Sequence, residues 1–198
     1  IKSVADLAGK RVSLDEPGSG TLVDARIILE AYGLSEDDIE AAFLKPDQAA
    51  ERMRDGAMDA FFFVGGFPAG AIAELASQED ITLVPISGSE AEGVIGKYTF
   101  FAENTVPGGT YEGVDEDTTT LSVGAQWITS ADQPDDLIYN VTAALWNDNT
   151  RKLLDSGHQK GKQITLETAL DGVGIPLHPG AARFYEEKGM DVSGMTAE

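Results

Sequence analysis

Strand-like and helix-like patterns alternate through the first ninety residues of this chain, and few folds accommodate that rhythm. Arg11-Val12-Ser13-Leu14 reads as a short strand that ends in the turn Asp15-Glu16-Pro17-Gly18. From Thr21 to Tyr32 the residues Leu22, Ala25, Ile28, Leu29 and Tyr32 recur at helical spacing. Ser19 or Thr21 can cap that helix, Asp24 stands three residues after Thr21 as in a capping box, and Gly33 stops it. Ala41–Leu44 reads as the next strand. Asp47 then caps a helix over Gln48–Asp55, which Gly56 ends. Asp59–Val64 is a buried-strand run, Pro68 sits where a helix starts and continues to Ser77, and Ile81–Ile86 is a further strand. Strand–helix repeated in this way predicts an α/β fold, doubly wound, with parallel strands covered by helices on both faces. In such sheets a ligand sits beyond the carboxyl ends of the strands, at the switch point, which singles out the loops Asp15–Gly20 and Gly65–Pro68.

The second half differs. Lys97–Ala102 and Thr120–Thr129 read as strands, separated by a loop rich in Gly, Pro and Thr from Asn104 to Gly113. A helix runs from Pro134 through Trp146, with Leu137, Val141, Ala144 and Leu145 on one face, and His178-Pro179-Gly180 opens a last helix over Ala181–Lys188. The 198 residues, 42% of them hydrophobic, suffice for one ordinary domain or two small ones with a buried core.

Charge narrows the function classes. With 34 acidic and 14 basic residues the net charge is −20. That field repels phosphate backbones and anionic membrane surfaces, so neither nucleic acid nor the membrane is an expected partner. It also keeps a protein dispersed at high salt, where screening removes self-repulsion. With no cysteine, disulfides, thiolate catalysis and cysteine-ligated metal centres are excluded. No apolar run reaches the ~18 residues that span a bilayer. The sequence opens at Ile1 rather than Met, so localisation cannot be read from its start.

Three segments can carry chemistry. Pro17-Gly18-Ser19-Gly20-Thr21 lies between a strand and a helix. Gly18 and Gly20 allow a ligand close to the backbone, free N–H groups and the positive helix end favour an anion, and Ser19 and Thr21 add hydroxyls. The expected ligand is a carboxylate or phosphate. A P-loop lysine is absent, and Val23 stands where a dinucleotide fingerprint needs its third glycine. The same segment also serves simply as a capped helix behind a flexible turn. Phe61-Phe62-Phe63-Val64-Gly65-Gly66-Phe67-Pro68 is a buried strand that exits through glycines; most of its rings read as core, with Phe62, Phe63 and Gly66 nearest a cleft. Tyr111, in Pro107-Gly108-Gly109-Thr110-Tyr111, can close over a ligand or belong to a surface turn. His158 and His178 have neither metal-ligand spacing nor a nucleophile elbow nearby. His178 reads as a helix-entry residue, and no metal site, cofactor or catalytic residue is expected.

Taken in order, Asp6-Leu7-Ala8-Gly9-Lys10-Arg11-Val12-Ser13, Pro17-Gly18-Ser19-Gly20-Thr21, Asp55-Gly56-Ala57-Met58-Asp59-Ala60-Phe61-Phe62, Gly66-Phe67-Pro68 with Ala71-Ile72, Gly109-Thr110-Tyr111 and Pro176-Leu177-His178-Pro179-Gly180-Ala181 resemble the TAXI family of solute receptors. These are the substrate-binding subunits of one class of TRAP transporters. The resemblance runs from about Ile1 to Gly189. It implies the type 2 periplasmic-binding-protein architecture, two α/β lobes closing on a small carboxylate such as a glutamate-like amino acid or a dicarboxylate. It also implies a periplasmic location, a TRAP permease as partner, and no catalysis. Family members are longer and begin with a glycine-rich segment that this sequence lacks. The expectation is therefore an incomplete first lobe, with residues 1–90 as the second lobe and 91–198 as the crossover and the return to the first. On the same resemblance Gly18, Ser19, Gly20, Thr21, Phe62, Phe63, Gly66 and Tyr111 line the solute cleft. The alternative is an enzyme on the same two-lobed fold, acting on a small carboxylate metabolite; a host-contacting surface antigen is compatible with the receptor.

Overall fold

A computed structural model describes residues 1–196. The chain divides into two compact units, Ile1–Val123 and Gly124–Glu198.

In the first unit β1 (Arg11–Ser13), β2 (Glu40–Ala42) and β3 (Ala60–Phe61) form a parallel sheet in the order β2-β1-β3. Val12 stands opposite Ala41 on one side and Ala60 on the other. Helix α1 (Gly20–Ala31) connects β1 to β2, and α2 (Pro46–Arg54) connects β2 to β3. The expected α/β alternation is thus present, with the Gly18–Thr21 turn beyond the carboxyl end of β1. Leu22, Ala25, Ile28 and Leu29 of α1 bury against Val12, Leu14, Val4, Leu7 and Ile39. Each large apolar side chain buried there contributes about 1.5–3 kcal/mol relative to exposure. Helix α2 starts at Pro46, its fixed φ suiting the first helical position, and takes no side-chain cap from Asp47.

The sheet is pinned at its amino end by Arg11 and Asp59. Asp59 accepts from the Arg11 backbone N–H at 2.9 Å, from Nε at 2.9 Å and from a terminal guanidinium nitrogen at 2.6 Å. These bonds hold the Asp59 carboxyl far below the usual carboxylate range. Because the folded value is depressed, the stabilisation is present above the unfolded carboxylate value of about 3.9 and fades as pH falls below it. Asp59→Asn is therefore expected to destabilise the unit at pH 7 and to lose that deficit at acid pH. Urea denaturation at both pH values checks this; an equal deficit at both would contradict it.

Beyond β3, α3 (Gly70–Ala76) begins two residues after Pro68. Ile81–Ile86 packs Val84 and Ile86 against the core but forms no strand ladder; Ile86 N–H donates to the Thr119 carbonyl. A helix absent from the sequence expectations follows, α4 (Gly88–Lys97), and the strand expected at Lys97–Ala102 starts only at Phe101. Three glycines within it, Gly88, Gly93 and Gly96, lower its intrinsic propensity. Tertiary contact supplies the difference: the Tyr32 hydroxyl donates to the Ser87 carbonyl at 3.0 Å and accepts from Ser87 N–H at 3.1 Å. The antiparallel pair β4 (Phe101–Val106) and β5 (Thr118–Val123) completes the unit, so residues 91–123 belong with the parallel sheet.

The second unit contains α5 (Asp135–Leu145), α6 (Asp148–Ser156), a 3-10 turn at Gln159–Gln163 and α7 (Pro179–Glu187). Ala182, Phe184, Tyr185 and Val192 form its buried centre, packed by Tyr139 and Trp146. His178 caps α7: its Nδ1 accepts from Gly180 N–H at 3.1 Å, which leaves Nε2–H to donate to the Gln133 carbonyl at 3.0 Å. His158 caps the 3-10 turn in the same manner. Both histidines thus have structural work as caps. Among the described residues no helix is long and apolar enough to cross a membrane.

Candidate functional site

The strand order decides where a ligand can enter the first unit. The chain steps from β1 to β2 on one side, then crosses back over β1 to place β3 on the other. That reversal makes the carboxyl ends of β1 and β3 the switch point, where the two exits diverge and leave a crevice. The loop 14–19 leaves β1 and leads through Gly18 and Ser19 to Gly20 and Thr21 at the start of α1, and the loop 62–69, with Phe62, Phe63 and Gly66, leaves the adjacent strand β3. The β2 exit adds Lys45, whose Nζ lies 3.6 Å from Glu16 Oε2.

Loop geometry explains the residues. Asp15 takes φ 74°, a left-handed conformation that aspartate tolerates better than most side chains, and its Oδ1 accepts from Glu16 N–H at 2.7 Å. Gly18 takes φ 89°, open to glycine at no steric cost. Ser19 N–H is spent on the Glu16 carbonyl, while Ser19 Oγ accepts from Leu22 N–H at 3.1 Å and caps α1. Among the described residues no acceptor meets the N–H groups of Gly20 and Thr21, the first two of α1 at its positive end. A Cβ on Gly20 would meet nothing within 4 Å, so the space beside this position is open.

With Ser19 as cap, the third helical position is Leu22, and the capping box that Asp24 could have completed is not formed. Asp24 is nonetheless buried, 9% exposed, as is Thr21 at 7%.

The aromatic residues divide. Phe62 extends the ladder, its N–H donating to the Ser13 carbonyl at 2.9 Å, and its ring packs against the core beneath the sheet. The Phe63 ring folds back over Gly65, where a Cβ would overlap it. Gly66 is exposed. Tyr111 is buried at 4% exposure, and its hydroxyl accepts from Ala69 N–H at 2.9 Å, which ties the end of the β3 exit loop in place. Its geometry is that of a brace behind the loop. Tyr111→Phe leaves that N–H buried without an acceptor, a loss of about 1–3 kcal/mol. The expected result is a lower urea midpoint with unchanged m-value. An unaltered midpoint would show the bond to be dispensable.

Two surface grooves lie away from this crevice. One, of about 350 Å³, separates α1 from α4 and is lined by Ile27, Glu30, Gly93, Val94, Lys97 and Tyr98. The other, of about 80 Å³, lies between α2 and α3. No group of three or more His, Cys, Asp or Glu side chains among the described residues is arranged to hold a metal ion.

Residues 1–189 match the NMT1-like family. This chain belongs to the NMT1-like family. The family match takes in both crevice loops and runs into α7. The periplasmic aliphatic sulphonate binding protein SsuA from Escherichia coli is similar at 19% sequence identity and a TM-score of 0.39, over 94% of this chain and 48% of that one. This NMT1-like chain thus spans about half the length of that protein.

What the sequence left unmarked is that Asp15 and Asp24 are buried and that Lys45 stands beside Glu16. Asp15, Lys45 and Asp24 come from three different segments, and only the strand order and the position of the helix cap bring them into consideration. The signal available beforehand was the pairing of Thr21 with Asp24 three residues apart.

Proposed function

We propose that this NMT1-like chain is the ligand-capturing part of an extracytoplasmic solute receptor, working in the periplasm and handing a small carboxylate to a TRAP permease. The observation that carries this is the open start of α1 at the β1/β3 switch point. Gly20 and Thr21 have two unspent N–H groups there, and the space beside Gly20 is open. The solute carboxylate accepts from these two groups and from the Thr21 hydroxyl, with Gly18 shaping the loop and Ser19 holding the helix start. Phe63 and Gly66 form the opposite wall, Phe62 supports it from the core, and Tyr111 holds the wall in register. The six segments that resemble TAXI receptors all lie within the residues that match the family, which favours the TAXI subtype. Lobe closure over the solute is the functional motion.

The test is a thermal-shift and calorimetric panel on the full-length protein, with small mono- and dicarboxylates, amino acids and sulphonates, followed by product analysis. Stabilisation by one class of carboxylate without turnover is the expected outcome. Product formation would favour the enzyme alternative, and no stabilisation by any member would refute the receptor.

A further inference from the structure

The net charge of −20 is unevenly spread. Residues 151–162 hold four of the chain's 14 basic residues, Arg151, Lys152, Lys160 and Lys162, and one of its 34 acidic ones, Asp155. Arg151 and Asp155 spend their charges on structure. Arg151 pairs with Asp155 at 2.7 Å, and its guanidinium donates to the carbonyls of Gly161 and Ile164, both at 2.6 Å. Those bonds fold the 3-10 turn Gln159–Gln163 back on α6. A Cβ on Gly161 would overlap the Leu154 carbonyl oxygen, so the turn lies backbone to backbone on the helix. Lys160 and Lys162, on either side of Gly161, thus come beside the helical turn that bears Lys152 and Leu153.

The rest of α6 differs from the flank under this turn. At about 100° per residue, Lys152 and Leu153 lie across the helix from Arg151 and Leu154, on the side of Asn149 and Ser156. No carboxylate falls on that side. Leu153 is 71% exposed, Lys152 and Lys162 are exposed, and among the described residues no ion pair engages either lysine. Ile164, also exposed, follows directly after the turn.

We infer that this patch of α6 and the 3-10 turn is a peripheral docking surface for a membrane that carries anionic phospholipid headgroups. Its lysines meet the phosphates, and Leu153 enters the interfacial layer between headgroups and acyl chains. The composition favours lipid over protein: the cores of protein interfaces are rich in aromatic residues and arginine and depleted in lysine, whereas here the exposed cations are lysines and the exposed apolar groups aliphatic. A lysine ammonium meets phosphate as a point charge on a long flexible stem, so it can reach headgroups while a neighbouring leucine is buried. The molecule as a whole is repelled by such a surface, but at physiological salt charges are screened over about 8 Å. At contact the patch is felt and more distant carboxylates are not. No helix among the described residues crosses the bilayer, so the contact is reversible. It does not depend on which solute the chain captures.

The test is co-sedimentation of the full-length protein with sucrose-loaded vesicles of phosphatidylcholine alone or mixed with phosphatidylglycerol. Pelleting is expected with the mixed vesicles only. It should weaken between about 0.15 M and about 0.5 M salt, as the screening length falls to roughly 4 Å. Each lysine near an anionic surface is worth about fivefold in partitioning, so Lys152→Gln with Lys162→Gln should lower it on the order of 25-fold. Lys2→Gln with Lys10→Gln removes the same charge from the first unit and should leave partitioning unchanged. Leu153→Ser should weaken it about tenfold at either salt. Circular dichroism melts of the variants check that folding is kept. Equal loss in both lysine pairs would overturn the inference, since overall charge would then explain the binding. Equal pelleting with neutral vesicles, or none with either, would also overturn it. Capture by immobilised polyglutamate without pelleting would assign the patch to an acidic protein segment instead. None of these outcomes bears on solute capture, which the carboxylate panel tests separately.

Discussion

Gly20→Val in the full-length protein is expected to abolish capture of the best-binding carboxylate of the panel while leaving the fold intact. The position has an ordinary helical backbone, and a Cβ there meets no protein atom within 4 Å. The added methyl groups therefore occupy open space at the first position of α1, next to the N–H groups of Gly20 and Thr21. Each charge-assisted bond lost is worth roughly 1.5–3 kcal/mol. Two such bonds correspond to at least a hundredfold in affinity, since each 1.4 kcal/mol is about a factor of ten. Calorimetry measures the loss, and a thermal melt without ligand shows whether folding is spared. Unchanged affinity would reduce this loop to a helix cap and move the solute elsewhere.

A large effect on stability is expected at Gly180. There the amino end of α7 meets α5 backbone to backbone. A Cβ on Gly180 would overlap the Asp135 carbonyl oxygen and stand 2.8 Å from the Tyr139 nitrogen. Neither obstacle is a flexible side chain, so relief requires the helices to part. Forced overpacking of this kind costs about 3 kcal/mol. In a unit of this size that lowers the melting temperature by on the order of 10 °C or more. Gly180→Ala should therefore lose a cooperative transition assigned to α5 and α7, followed by circular dichroism. Parting the helices also strains the His178 cap and its bond to Gln133. An unchanged melt would mean that the contact is looser than the backbone geometry shows. Gly20→Ala, with open space around it, is the matched control.

Local residue pattern determined a good part of this protein. The spacing of Leu22, Ala25, Ile28 and Leu29 fixes α1 and its buried face. Pro17-Gly18-Ser19 marks the turn before it, and His178-Pro179-Gly180 marks the start of α7. Such features depend on neighbours three or four residues away, on the conformations that glycine and proline permit, and on caps, all of which a linear sequence displays. Net charge likewise followed from counting.

Tertiary structure decided the rest. Whether Ile81–Ile86 joins a ladder depends on the partner beside it, and its alternating residues cannot specify that partner. Helix α4 forms across three glycines because Tyr32 and Ser87 hold its start, a contact between residues 55 positions apart. Tyr111 became a brace rather than a lid because its hydroxyl meets Ala69 from 42 residues away. The crevice itself arises from strand order, which pairs β1 with both β2 and β3 and so places two distant loops side by side. Asp24 shows both levels at once: its spacing from Thr21 was legible, but its low exposure was not. Burial depends on what the whole fold packs around a side chain, and the pairing of a charge depends on which distant groups arrive beside it.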